Sequence, residues 1–84
     1  MAGGGRDIPG AEMDVLRALW RLDSGTVREV MDELRRRGRR LAYTTVLTLV
    51  GRLERKGYVT RGRKESLADV YRPRISRQRV TADR

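Results

Sequence analysis

The stretch from Leu41 to Tyr58, LAYTTVLTLVGRLERKGY, constrains the fold more than any other part of the chain. Its periodicity predicts a helix from Tyr43 to Lys56 with two unlike faces. At about 100° per residue, Val46, Leu49, Val50 and Leu53 fall together as a core stripe. Thr44, Thr45, Thr48, Gly51, Arg52 and Arg55 fall on the other side. That side is short and hydroxylated at its start and guanidinium-rich at its end. Such a surface can lie close in a DNA major groove and hold the phosphates on its rims. Gly57 follows where a left-handed cap ends a helix.

The composition bounds what can surround this helix. A chain of 84 residues makes one small domain with little core to spare. Its net charge is +9, from 18 Arg and 2 Lys against 11 acidic residues. The charge is lopsided. Residues 1–42 carry 9 basic and 7 acidic groups, whereas residues 43–84 carry 11 basic and 4 acidic groups. The excess therefore sits on and after the two-faced helix, which points to a polyanionic partner. A solubilising surface, or a genome rich in arginine codons, would also raise the arginine count.

The chain has no cysteine and no histidine. A disulfide frame, a thiolate metal site and zinc binding are therefore not expected, nor is histidine acid–base chemistry. No cofactor is implied. No apolar run approaches the roughly 20 residues of a membrane span. The opening MAGGGRDIPG lacks the apolar centre of a signal peptide, and residues 1–8 read as a flexible lead. The chain reads as cytoplasmic and bacterial in style.

Two further helices precede the two-faced one. Pro9 to Leu22 reads as the first, with Met13, Leu16 and Trp20 on one stripe and Val15, Leu19 and Leu22 beside it. Trp20 is expected to fill the core. Asp23-Ser24-Gly25 is a turn. Thr26 to Arg37 reads as the second helix, opened by a Thr26/Glu29 capping box. Val27, Val30, Met31 and Leu34 form its core face, and Arg28, Asp32, Glu33 and Arg35 its polar side. Gly38 stops it. The cluster Arg35, Arg36, Arg37, Arg39 and Arg40 then leads into the third helix. Arg39 and Arg40 suit phosphate contacts as well as they suit a solvated helix end.

After the third helix, Tyr58–Arg61 and Asp69–Arg72 are β-prone runs around a polar loop holding Arg63, Lys64, Glu65 and Ser66, with Pro73 closing the second strand. Residues 74–84 are arginine-rich and read as a flexible or partly helical tail. The predicted class is mainly α with a small β-hairpin: a winged helix-turn-helix of three helices plus a two-stranded wing, spanning residues 9–73.

The residues that carry this order also resemble a known family. EMDVLRALW, TVREVMDEL, LAYTTVLTLVGRLERKGYV and VYRP followed by ISR are similar to the penicillinase-repressor family of bacterial transcription regulators. That family includes the β-lactamase, methicillin-resistance and copper-responsive repressors. The resemblance runs from about Ile8 to Arg77. It implies a dimeric repressor whose recognition helices enter the major grooves of a palindromic operator. Carried onto this chain, the groove-facing positions are Tyr43, Thr44, Thr45, Thr48 and Arg52. Tyr43, at the helix start, fits the groove and the core edge equally. Arg52 and Arg55 suit phosphate clamps, and Arg61, Arg63 and Lys64 wing contacts.

Three departures stand out. The wing segment GRKESLAD is longer than the family's usual wing and has no glycine at its tip. Relatives continue into dimer-forming helices, whereas this sequence stops at Arg84, as a DNA-binding fragment or a short divergent member would. It is therefore expected to be a monomer or weak dimer as it stands and a homodimer in full-length form. The cysteine cluster of the copper-responsive branch is absent. Two other uses of the same fold compete: a protein-interaction module, and a non-specific nucleic-acid binder acting through charge. An enzyme fits least, since there is no phosphate-binding glycine loop and no carboxylate pair in an apolar setting.

Overall fold

The computed structural model describes residues 8–63 and 68–76. The element order is α1 (Gly10–Leu22), α2 (Val27–Arg36), α3 (Tyr43–Arg55), β1 (Val59–Arg63) and β2 (Asp69–Pro73). The fold is the winged helix-turn-helix predicted from the sequence.

Each helix end has a local cause. Pro9 is the N-cap of α1, and its carbonyl accepts the Met13 N–H at 2.8 Å. At α2, Glu29 N–H donates to the Thr26 hydroxyl while Thr26 N–H donates to the Glu29 carboxylate, a complete capping box. Helices α2 and α3 end alike. Gly38 and Gly57 both sit at φ +86. Arg39 N–H reaches the Leu34 carbonyl and Tyr58 N–H reaches Leu53, each at 2.9 Å. Gly38 N–H bonds Arg35 and Gly57 N–H bonds Glu54. These pairs make two Schellman caps, in which a left-handed residue lets the last carbonyls find donors.

The turn after α1 works differently. Asp23 takes the left-handed conformation there, at φ 73. Space at Gly25 is tight: a Cβ on it would meet Leu22 Cδ1 at 3.2 Å and Glu29 Oε1 at 3.3 Å, so both side chains would have to give way by a few tenths of an ångström. Gly25 also exchanges two backbone hydrogen bonds with Tyr71, at 2.9 and 2.8 Å, so the α1–α2 turn extends the wing sheet by one bridge.

The three helices pack pairwise around Val15, Leu16, Leu19, Val30, Val46, Val50 and Leu53, all fully buried. Strand β1 pairs antiparallel with β2, with Val59 opposite Pro73 and Arg61 opposite Tyr71. Val59 and Tyr71 are buried and join the hairpin to the helical core. Pro73 ends β2 in register, and the ladder is continued by Arg74 N–H donating to the Tyr58 carbonyl at 2.8 Å.

Four sequence expectations change. Ile8, assigned to the flexible lead, is buried in the core cluster. Ile75, assigned to the tail, packs against the same core and accepts the Trp20 indole N–H at 2.8 Å. Trp20, half-buried and packed against the core as expected, thereby also clasps Ile75. Arg63, placed in the loop, belongs to β1. Glu33, placed on the polar side of α2, is only 5% exposed. It is buried because α1 brings Arg21 onto it while Arg36 and Arg37 reach it from the end of α2.

Candidate nucleic-acid interface

Helix α3 is amphipathic in the predicted sense. Val46, Leu49, Val50 and Leu53 are buried, and Thr44, Thr45, Thr48, Arg52 and Arg55 are exposed. The Thr48 hydroxyl donates back to the Thr44 carbonyl at 3.0 Å. Its hydrogen is therefore engaged within the helix, leaving the oxygen lone pairs and the methyl for an outside partner. Tyr43 is 47% exposed and borders a cleft lined also by the buried Val27 and Tyr71.

Buried or half-buried carboxylates decide which cations remain available. Glu12 on α1 is only 2% exposed: helix spacing puts it on the same stripe as Val15, Leu16 and Leu19, where only its charge suggested a surface residue. It accepts a hydrogen bond from Lys56 Nζ at 2.8 Å, and Arg52 Nη1 lies 4.0 Å away. The carboxylate thus fixes one flank of α3 to α1. Asp14 engages Arg17 and Arg39, the latter at 3.1 Å, which turns Arg39 toward α1. Glu33 engages Arg21, Arg36 and Arg37. Hydrogen bonds from Arg21 and Arg36 hold its carboxyl at about 2, well below the usual carboxylate range. In the wing, Arg61 lies 3.5 Å from Glu54 of α3 and 3.6 Å from Asp69 of β2, tying helix to hairpin.

Arg28, Arg35, Arg40, Arg55, Arg72 and Arg74 form no ion pair with another described residue. Arg28 stands in the first turn of α2 and lines a cleft with Tyr43, Leu47 and Tyr71. Arg72 points away from the core, as its neighbour Tyr71 points in. Arg28 and Arg72 were not singled out from the sequence. Their signal is the absence of a carboxylate within reach, which only the fold reveals. Of the residues nominated from sequence, the structure brings together Tyr43, Thr44, Thr45, Thr48, Arg52 and Arg55 on one exposed helix. Arg40 precedes that helix as an exposed residue. Arg39 is drawn aside, and Arg61 is engaged at the helix–wing joint. Arg63 lies opposite Asp69 in the ladder, and Lys64 lies outside the described residues.

A family model described as penicillinase repressor matches residues 8–84. The chain belongs to the penicillinase repressor family. Among solved structures it is similar to the DNA-binding domain of the repressor BlaI, with 29% identity, 89% coverage of each chain and a TM-score of 0.71. It is also similar to the CopR repressor, at 30% identity over 83% of this chain and 99% of that one, with a TM-score of 0.62. A complex structure of hsRosR-S4 shares the fold at 15% identity, covering 94% of this chain and 69% of that one, with a TM-score of 0.77. No curated protein sequence matches the chain significantly. The family is one of transcriptional repressors, not enzymes. Among the described residues no helix is long and apolar enough to cross a membrane.

Proposed function

We propose that this chain is the DNA-binding part of a repressor that acts in the bacterial cytoplasm. It sets α3 into the major groove of a palindromic operator and works as a homodimer on two half-sites. The observation that carries the reading is the outer face of α3: exposed threonines opposite a buried stripe, with Arg55 on the same face and Arg28 beside it, neither engaged by a described carboxylate. Thr44, Thr45 and Thr48 read base edges, with Tyr43 beside them. Arg55, Arg28 and Arg40 hold phosphates, and Arg52 is steered by Glu12. The basic wing, through Arg72, Arg63 and Lys64, lies on the adjoining backbone, while Arg61 and Arg39 position neighbouring elements. A dimer places its two recognition helices about one DNA turn, roughly 34 Å, apart.

The test is binding to a palindrome selected from a random duplex library, compared with a scrambled duplex of equal length, across a salt series. Six phosphate contacts, from Arg28, Arg40, Arg55, Arg63, Lys64 and Arg72, imply a log–log slope of about −5 per protomer. Preference for the palindrome at every salt concentration supports the repressor. Equal binding, lost together as salt rises, leaves only charge. Thr48→Ala weakens the palindrome complex more than the scrambled one; equal losses would remove Thr48 from base reading.

A further inference from the structure

The exposed large hydrophobic residues among those described are Tyr43, at 47%, and Leu47, at 43%. Both stand on α3, one turn apart. Gly51 is one turn further on. Four residues advance a helix by about 40° of rotation, so Leu47 and Gly51 are neighbours along the same outer face. Gly51 has ordinary helical backbone, and a Cβ built on it would meet nothing within 4 Å. Nothing inside the molecule therefore calls for glycine there, although glycine is the weakest helix former after proline. The result is a notch: an aliphatic side chain on one wall, bare backbone at the floor, and the Thr48 methyl and Arg55 beside it.

We propose that the notch between Leu47 and Gly51 receives the C5-methyl group of a thymine, making these two residues determinants of operator sequence. The inference rests on the DNA-binding reading above and adds the chemical feature recognised. The thymine methyl is the one apolar group that a base pair presents in the major groove. Leu47 supplies apolar surface to cover it. Gly51 removes the side chain that would otherwise hold the helix away. Arg28, which shares the Leu47 cleft, and Arg55, on the next turn, carry the positive charge that brings the helix to the duplex. The same charge sets this patch apart from a protein-docking surface, where the core is depleted of charged residues.

The experiment is a cycle between protein and operator. Each thymine of the selected palindrome is replaced in turn by deoxyuridine, which deletes only the methyl. Binding of the unaltered chain, Leu47→Ala and Gly51→Ala is then measured on every duplex. One thymine per half-site should cost the unaltered chain about fourfold when its methyl is removed, the value of one buried methyl-sized group. Leu47→Ala should lose little more at that position. Gly51→Ala should bind the thymine operator more weakly and regain affinity on the deoxyuridine operator, where room has been made for its Cβ. The same variant should unfold roughly 5 °C higher, because alanine favours the helix and meets no neighbour. A purely structural glycine would lose both stability and binding.

Penalties that simply add at every thymine overturn the proposal while leaving the repressor reading intact. Loss of all preference for the palindrome in the unaltered chain overturns both. Unchanged DNA binding by Leu47→Ala and Gly51→Ala on every duplex assigns the patch to some other partner and likewise overturns it.

Discussion

Replacing Gly57 by alanine tests whether the recognition helix is ended by backbone conformation alone. Gly57 sits at φ +86, and a Cβ placed on it would find nothing within 4 Å. No steric contact contributes, so the penalty is purely conformational. A left-handed backbone costs an L-residue about 1–2 kcal/mol. Alanine offsets about 0.4–1 kcal/mol of that by restricting the unfolded chain. The net loss is about 1 kcal/mol, or roughly 4–8 °C in Tm for a domain of this size. Thermal and urea unfolding followed by far-UV circular dichroism would measure it, with the urea slope unchanged. Gly57→Asn should lose less, since asparagine tolerates this conformation better. The position matters for function because the cap redirects the chain from α3 into β1: Tyr58 N–H closes on Leu53, and Val59 enters the core one residue later. A Tm that stays level or rises for Gly57→Ala would refute the Schellman cap, and with it the reason for the wing's angle to α3.

Three further outcomes follow from the carboxylates and the tight turn. Glu12→Gln should lower stability by about 1 kcal/mol, because its partners Lys56 and Arg52 remain partly hydrated. It should also strengthen binding to scrambled DNA by removing a negative charge beside α3; scrambled-duplex affinity that falls would count against this steering role. Glu33 titrates at about 2 when folded against 4.5 unpaired, so the unfolded chain binds the proton first. Its stabilisation is complete above about pH 4.5 and is lost as pH falls toward 2. Glu33→Gln should flatten Tm against pH in that window, and an unchanged acid slope would exclude the Arg21–Arg36–Arg37 cluster as its source. Gly25→Ala should destabilise by about 1–3 kcal/mol through overpacking against Leu22 and the Glu29 carboxylate. An unchanged Tm there would mean that Leu22 and Glu29 yield to the added methyl group, and would refute the overpacking argument.

The helices were legible because their signals are local. A 3.6-residue apolar stripe, a Thr26/Glu29 capping box and glycines after α2 and α3 act within a few residues of chain, so reading along the sequence recovers them. The hairpin was legible as two β-prone runs, with Arg63 drawn into β1 by its register with Asp69. The outer face of α3 was legible for the same reason as its core face: one period places both.

What the tertiary structure alone decided is where charge is neutralised and where it is left. Glu12 and Lys56 are separated by 44 residues, Arg21 and Glu33 by 12, and Asp14 and Arg39 by 25 in number. No periodicity relates such positions; only helix packing brings them within a few ångströms, where a carboxylate can hold one arginine and leave another to solvent. Burial of Ile8 and Ile75 has the same origin, since the surface that covers them is assembled from other elements. Sequence by itself determined the elements, their order and the excess of positive charge, all set by neighbours along the chain. The fold determined which of those charges face outward beside α3, because Coulomb interactions and burial depend on distance in space.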